Sequence, residues 1–175
     1  MESSCSEWSK KISLMKKLLQ ACESGEKPRM DYDYDGGKLE GDMKQRAIEC
    51  GQALYGALNI SREDKGKRIE QWKQNYVSFD SPTVIFIFKH VGTGLSGYMD
   101  CGMLIQSVML AAIDLGLATC SQASLGHYPD IVKNELGFAN YTLICGIAIG
   151  YEDIEAPVNN YRTERVDLDS IISYF

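Results

Sequence analysis

Two short segments of the chain combine residue types suited to ligand binding, and the first spans residues 119–125. Its sequence, Thr-Cys-Ser-Gln-Ala-Ser-Leu, consists mainly of small and polar residues between a predicted buried strand and a predicted helix. Backbone of this kind can lie flat against a planar ring and offer it N–H groups. Ordinary strand-to-helix connections have the same composition, so by itself the segment leaves both interpretations open.

The second segment spans residues 159–165 and carries two arginines three positions apart in an acidic protein. Arg162 and Arg165 lie in a stretch with neither helical nor strand periodicity. Arginine binds phosphate through paired hydrogen bonds, so one anionic group of a ligand is a reasonable partner. Surface ion pairs with Glu164 or Asp167 explain the same residues equally well.

The remaining reactive residues give little support to nucleophilic or metal chemistry. The two histidines, His90 and His127, lie far apart in the sequence, no G-x-S-x-G motif occurs, and hydrogen-bonding loop histidines are the simpler interpretation. Six scattered cysteines without a C-x-x-C pair favour reduced, mostly buried thiols over zinc ligands. Gly92, Gly94 and Gly97 match the dinucleotide-binding spacing but are more simply a turn. We therefore expect no catalytic side chain and no metal site.

Length and charge narrow the class of protein. The chain has 175 residues, of which 45% are hydrophobic, and this predicts a single domain over residues 1–175 with an extended tail over 151–175. Its 24 acidic residues outnumber 18 basic ones, which argues against a nucleic-acid partner. The longest apolar runs are much shorter than the roughly 20 residues of a membrane helix, and no apolar signal region follows Met1. We expect a cytoplasmic protein without a membrane partner.

Hydrophobic spacing predicts three helices before residue 80. The first spans residues 6–22 and ends before Gly25, and its apolar stripe comprises Ile12, Met15, Leu18, Leu19 and Cys22. The second spans about residues 43–58. The third begins at Ser61, which forms a capping-box pattern with Asp64, and continues to Tyr76. Its residues Ile69, Trp72 and Tyr76 are predicted to face inward.

Strands and helices alternate in the second half of the chain. Residues 84–88 and 141–150 are predicted buried strands, and residues 117–120 a short third strand. A helix ending at Gly116 lies between the predicted strands at residues 84–88 and 117–120. It is apolar nearly all round, and we expect it to be the central buried helix. A further helix runs through Leu136 and ends at Gly137. The pattern predicts an α+β or α/β layered domain.

Four longer segments, taken in order, resemble a known family. They are residues 102–112 (Gly-Met-Leu-Ile-Gln-Ser-Val-Met-Leu-Ala-Ala), 115–123 (Leu-Gly-Leu-Ala-Thr-Cys-Ser-Gln-Ala), 145–151 (Cys-Gly-Ile-Ala-Ile-Gly-Tyr) and 156–165 (Ala-Pro-Val-Asn-Asn-Tyr-Arg-Thr-Glu-Arg). Together they closely resemble the FMN-dependent nitroreductase family, especially its nitrobenzoate-reductase-like branch. Residues 23–28, 61–65 and 72–75 are similar to the same branch, so the resemblance covers nearly the whole chain.

The resemblance implies an α+β flavoprotein fold, with a central mixed sheet flanked by helices and FMN bound at the interface of a homodimer. It implies an oxidoreductase that transfers electrons from NAD(P)H through FMN to a nitroaromatic, quinone-like or other small aromatic acceptor. Matched residue by residue, Ser121, Gln122, Ala123 and Ser124 line the flavin ring. The resemblance also implies that Arg162 and Arg165 hold the FMN phosphate and that Asn75 lies at the pyrimidine edge or beside the nearby backbone.

The sequence departs from the family pattern at its start. Family members begin with an Arg-x-Ser-x-Arg helix that binds phosphate and ribityl groups, followed by a Pro-Ser-x-x-Asn-x-Gln-Pro-Trp segment and the first core strand. The resemblance here begins at the helix containing residues 10–19, so we expect an N-terminally shortened fold. The alternative function is therefore a catalytically impaired protein of the same fold, without stable FMN, that acts as a binding or dimerisation partner.

Overall fold

The computed structural model describes residues 2–34 and 38–175. Its helices are α1 (Glu2–Glu23), α2 (Gly41–Ala57), α3 (Lys65–Lys73), α4 (Ser96–Asp114) and α5 (Pro129–Leu136), and its strands are β1 (Thr83–His90), β2 (Ala118–Gln122) and β3 (Tyr141–Gly150). The chain divides into two compact units. The sheet unit comprises Met1–Gly36 and Ile69–Glu152, and the tail unit comprises Gly37–Arg68 and Asp153–Phe175.

The three described strands form one antiparallel sheet in the order β1-β3-β2. β3 occupies the middle, and its residues 143–148 are all buried. α4 carries the chain from the end of β1 to the start of β2, two strands that both pair with β3 and not with each other. A central sheet with flanking helices was predicted, but every strand pair among the described residues is antiparallel where a mixed sheet was expected.

β1 packs on both faces, as predicted, but less completely than β3. Val84, Phe86 and Phe88 pack against the buried cluster of α1 and α5, and Ile87 is buried in a second cluster, whereas Ile85 is 37% exposed. β1 lies at one side of the described sheet, whereas the continuous burial expected of a central strand belongs to β3.

The main core lies between α1, α5 and the sheet. Its buried members include Leu14, Met15, Leu18, Leu125, Val132 and Leu143. The predicted α1 stripe is correct for Met15 and Leu18, but Ile12 is 48% exposed and Leu14 is buried. At 3.6 residues per turn Ile12 lies roughly 120° around the helix from Leu18, at the edge of the buried arc.

α4 packs on the sheet along one side only. Gly97, Cys101 and Ala112 are its buried residues. The opposite side, which we call the α4 outer face, consists of Leu95, Met99, Met103, Leu110 and Ile113, each more than half exposed. The prediction of a central buried helix is therefore wrong for the single chain. Among the described helices α4 alone is long and apolar enough to cross a membrane by length and composition, but it connects two strands of one sheet and contacts that sheet.

Three predicted helix ends are confirmed at glycine. Gly25, Gly116 and Gly137 have φ of 78°, 72° and 78°, a left-handed conformation that glycine adopts without the steric cost of a Cβ.

The third predicted helix is shorter than expected. α3 begins at Lys65, and residues 61–64 form a turn in which the Ser61 N–H donates to Asp64 Oδ2 at 3.2 Å. Tyr76 is fully buried, as predicted, whereas Ile69 and Trp72 are 56% and 48% exposed, contrary to the prediction. The helix ends at Lys73, so Tyr76 lies in a following turn and does not share a helical face with them.

Candidate functional site

The predicted ring-binding loop lies at the end of β2. Gln122 is the last residue of that strand and pairs with Gly146 of β3, and residues 123–126 form a short 3-10 turn. A Cβ at Gly146 would lie 2.5 Å from Leu125 Cδ1 and 2.9 Å from Leu125 Cβ. The absence of a side chain at Gly146 therefore lets Leu125 pack against the sheet and hold the loop in place.

The structure brings two of the predicted site residues into contact. The Gln122 side-chain amide donates to the backbone oxygen and to Oδ1 of Asn75, both at 3.2 Å. Asn75 itself donates from Nδ2 to the carbonyl of Trp72 at 2.9 Å. Because the backbone oxygen of Asn75 can only accept, the Gln122 amide must present its N–H₂ group to Asn75.

This orientation leaves a buried acceptor without a donor. Gln122 is 3% exposed, and its Oε1 has no hydrogen-bond partner among the described residues. An unpaired polar atom in such a position costs about 1–3 kcal/mol. Native proteins pair nearly all such atoms, so the donor for this acceptor has to come from outside the described residues.

The other loop residues differ in exposure. Ser121 is exposed, Ala123 is half-buried and Ser124 is buried. Ser121 is therefore available to a ligand from solvent, whereas Ser124 and Leu125 anchor the turn.

An aromatic cluster adjoins Asn75. It was not predicted from the sequence. The rings of Trp72 and His127 stack with centroids 6.1 Å apart, and Tyr76 Oη lies 3.0 Å from His127 Nδ1. Burial raises the pKa of Tyr76 above its ordinary value. His127 is thus a hydrogen-bonding loop histidine, as predicted. His90 is also hydrogen-bonded, but it is the exposed last residue of β1, and its Nδ1 accepts from the Gly92 N–H at 3.0 Å. The residue spacing does not predict this aromatic cluster, because Trp72 and Tyr76 meet His127 only in the folded chain.

The two predicted phosphate ligands lie in the tail unit. Arg162 Nη1 donates to the carbonyls of Asn159 and Tyr161 at 2.7 and 3.0 Å. Arg165 Nη1 donates to the carbonyls of Thr163 and Glu164 at 3.0 and 3.1 Å. Both arginines are exposed. Within the described residues Arg165 forms no ion pair, so the surface pairing with Glu164 or Asp167 considered from the sequence is not seen for this residue.

Comparison with known proteins gives the same family along most of the chain. The sequence model of the Nitroreductase family matches residues 34–151. Nitroreductase NfnB of Mycolicibacterium smegmatis is 34% identical over 151 residues, which are 86% of this chain and 64% of that protein. The 4-nitrobenzoate reductase of a Nocardioides species is 32% identical over 148 residues, which are 82% of this chain and 60% of that protein. The chain thus spans less than two thirds of the length of these curated relatives.

Solved structures agree with the sequence matches. The FMN-dependent nitroreductase NfnB from Mycobacterium smegmatis in complex with NADPH superposes with a TM-score of 0.89 at 30% identity, over 95% of this chain and 74% of that one. The FMN and NADPH-dependent nitroreductase NfnB from sphigopyxis sp. strain HMH gives 0.85 at 35% identity, over 96% and 75%. These matches confirm the predicted α+β nitroreductase-like fold, and the chain belongs to the nitroreductase family.

Proposed function

We propose that the chain is a flavin-dependent oxidoreductase that uses FMN and NAD(P)H to reduce nitroaromatic or quinone-like acceptors. FMN, when bound, supplies the redox chemistry by accepting a hydride and passing electrons to the acceptor. The chain's own residues bind and orient, and no side chain forms a covalent bond. The observation that carries the proposal is the buried, unpartnered Oε1 of Gln122 in the loop that the family resemblance assigns to the flavin ring.

The residues at the loop fit such a group. A flavin ring carries an N–H donor on its pyrimidine edge, and Gln122 Oε1 is an acceptor that lacks a donor among the described residues. Asn75 holds the Gln122 amide in this orientation, so we assign it to positioning beside the pyrimidine edge. Ser121 and Ala123 would line the ring, and Ser124, whose side chain is buried, would contribute through its backbone.

Arg162 and Arg165 are proposed to bind the FMN phosphate. All hydrogen bonds of Arg165 to described residues use Nη1, so its Nη2 and Nε groups stay available for a phosphate. The carbonyls that accept from the two arginines lie within three residues of them in the sequence. We also propose that the two units form one domain in function, because the family match at residues 34–151 includes residues of both.

We further propose a cytoplasmic homodimer that buries the α4 outer face. Five large apolar side chains, each more than half exposed, lie on that face of the helix. A contiguous group of large, exposed apolar side chains on a protein surface marks an interaction site. A second copy of the chain would present the same face, as a two-fold interface requires.

The test of the proposed activity is a visible spectrum of the purified chain, followed by titration with FMN and a turnover assay with NADPH and 4-nitrobenzoate. We expect a yellow protein with flavin absorbance and acceptor-dependent oxidation of NADPH. A folded protein that stays colourless under excess FMN would instead support the alternative, a non-catalytic binding or dimerisation partner.

The phosphate role of Arg165 makes a separate prediction. Replacing Arg165 with Ala should weaken FMN binding by about 1.5–3 kcal/mol, the usual contribution of a charge-assisted hydrogen bond, or roughly 10–150-fold in Kd. Arg46→Ala, which removes an exposed arginine from α2 in the same unit, is the matched control and should leave Kd unchanged. Equal affinities of the Arg165 variant and the control would remove Arg165 from the phosphate role.

A further inference from the structure

The tail unit has an open cavity, accessible from solvent, that the proposed flavin site does not use. It lies against α2 and the segment that follows it and has a volume of about 530 Å³, within the range of roughly 300–1,000 Å³ typical of small-molecule sites. Its lining combines the apolar side chains of Ile48 and Ile60 with Tyr55, Arg62 and Arg68. One cavity thus offers an apolar wall, an aromatic ring and two cations.

The two arginines lack acidic partners. Among residues 2–34 and 38–175, neither Arg62 nor Arg68 forms an ion pair. Asp64, close to both in the sequence, accepts a hydrogen bond from the Ser61 N–H and lies 3.9 Å from Lys67 Nζ. In a chain of net charge −6, two such arginines at one cavity are complementary to an anionic ligand.

Arg68 stacks on the ring of Tyr55. Its guanidinium carbon lies 3.8 Å from the ring centroid, the geometry of a cation–π contact. This contact uses one face of the guanidinium plane. The second face and the N–H edge stay available, and a planar guanidinium stacks well on an aromatic ring.

We propose that this cavity binds an aromatic carboxylate. The carboxylate would accept hydrogen bonds from Arg62, and the ring would stack on the second face of the cationic Arg68 guanidinium and lie against the side chains of Ile48 and Ile60. An aliphatic acid would satisfy the charge but not the stacking surface, and a neutral aromatic molecule would leave both arginines unpaired. The proposal concerns binding alone and is independent of flavin.

The test is fluorine NMR of the purified full chain with 4-fluorobenzoate and with its neutral counterpart, 4-fluorobenzamide. We expect saturable binding of the benzoate and binding of the benzamide that is at least tenfold weaker. Arg62→Gln and Arg68→Gln should each weaken benzoate binding by about tenfold or more, the usual effect of losing a charged partner. The matched control Arg46→Gln removes the same charge from α2 outside the cavity lining and should leave binding unchanged.

A second variant tests the cavity itself. A Cβ at Gly51, which lines the cavity within α2, meets no atom within 4 Å, so Gly51→Leu should fill the space and abolish benzoate binding while far-ultraviolet circular dichroism stays unchanged. The proposal would be overturned by equal binding of the two probes, or by equal losses of affinity in Arg46→Gln and Arg62→Gln. Adenosine 2′-phosphate is a third probe, which carries a phosphate in place of a carboxylate. Binding of this phosphate without binding of 4-fluorobenzoate would also overturn the proposal. Flavin content is measured on the same sample, so a colourless protein that binds 4-fluorobenzoate would count against the proposed redox function only.

Discussion

The orphaned acceptor of Gln122 makes the proposed flavin site testable at a single residue. Gln122→Met keeps the length of the side chain and removes Oε1, so FMN binding should weaken by about 0.5–1.5 kcal/mol, the net value of one hydrogen bond, or roughly 2–12-fold in Kd. The variant also removes the two hydrogen bonds to Asn75, so the flavin-free protein should lose about 1–3 kcal/mol of stability, partly offset by removal of the unpaired Oε1.

Fluorescence titration with FMN and chemical denaturation of the flavin-free protein measure these two quantities. Gln20→Met, an exposed position on α1, is the control. A loss of folding stability with unchanged FMN affinity would show that Gln122 is structural and that its oxygen binds no flavin.

The buried thiol of Cys145 gives a pH-dependent prediction. Burial raises the pKa of Cys145 to about 11 from an ordinary value near 9, so at pH 8 only roughly one thiol in a thousand is ionised. The stability that the protonated Cys145 thiol contributes to the folded state is fully present below pH 9. It is lost as the pH rises from 9 to about 11. Cys50, by contrast, is exposed on α2.

Alkylation with iodoacetamide followed by mass spectrometry tests this order of reactivity. We expect Cys50 to be modified first at pH 8 and Cys145 to stay protected in the native state. Modification of Cys145 at the rate of Cys50 under native conditions would contradict its burial in the sheet.

The assignment of residues to the flavin site stays a prediction, and the contacts among those residues could not be predicted from the sequence. The loop at residues 121–124 and Asn75 followed from family-like segments, and the structure joins Gln122 to Asn75. The unpartnered Oε1 and the stacking of Trp72 on His127 depend on side-chain orientation across 47 or more residues of sequence. Spacing along one helix or strand carries no information of that kind.

At the scale of elements, α1 shows which part of the helix stabilises the fold. Leu18 is fully buried in the main core, and Ile12 is 48% exposed. Leu18→Ala should therefore lower the free energy of unfolding by about 2.7–5 kcal/mol, the cost of a buried leucine and the cavity it leaves. Ile12→Ala on the same helix should cost less than about 1 kcal/mol.

Urea denaturation of the two variants measures this difference. Similar losses of unfolding free energy in both variants would mean that Ile12 is buried, as predicted from the sequence. They would contradict the set of buried α1 residues that the structure gives.

Element positions followed closely from the sequence where local chemistry decides them. β3 spans Tyr141–Gly150 as predicted, and the ends of α1, α4 and α5 coincide with Gly25, Gly116 and Gly137. Burial was less predictable, because Ile69 and Trp72 are apolar yet lie on the exposed side of α3. Hydrophobicity shows that a side chain favours burial, but the neighbouring elements decide whether a surface exists to cover it.

At the scale of the whole molecule, α4 is the clearest case of this limit. Its sequence is apolar nearly all round and predicted a helix covered on every side. The single chain covers only the side that meets the sheet and leaves Leu95, Met99, Met103, Leu110 and Ile113 exposed. The sequence pattern and the fold agree if the second covering layer comes from another copy of the chain, because a pattern of burial is set by the assembly and not by one protomer.

This interpretation predicts the behaviour of charges placed on the α4 outer face. The double variant Leu110→Lys, Ile113→Lys puts two cations into the proposed dimer interface, from which water is excluded. The dissociation constant of the dimer should therefore rise by about 100-fold or more. Lysine near the end of α4 is compatible with the helix dipole, so the helix itself should survive. Ile154→Lys, at an isoleucine that is 72% exposed outside α4, is the matched control.

Light scattering coupled to size-exclusion chromatography distinguishes the outcomes. We expect dimers for the unmodified chain and for Ile154→Lys, and folded monomers for the α4 variant, with unchanged far-ultraviolet circular dichroism. An unmodified chain that is monomeric at high concentration, or an α4 variant that stays fully dimeric, would show that the outer face is not the interface. If FMN binds where two copies meet, as the family resemblance implies, the monomeric variant should also lose its flavin, and the same chromatogram would show this as a loss of visible absorbance.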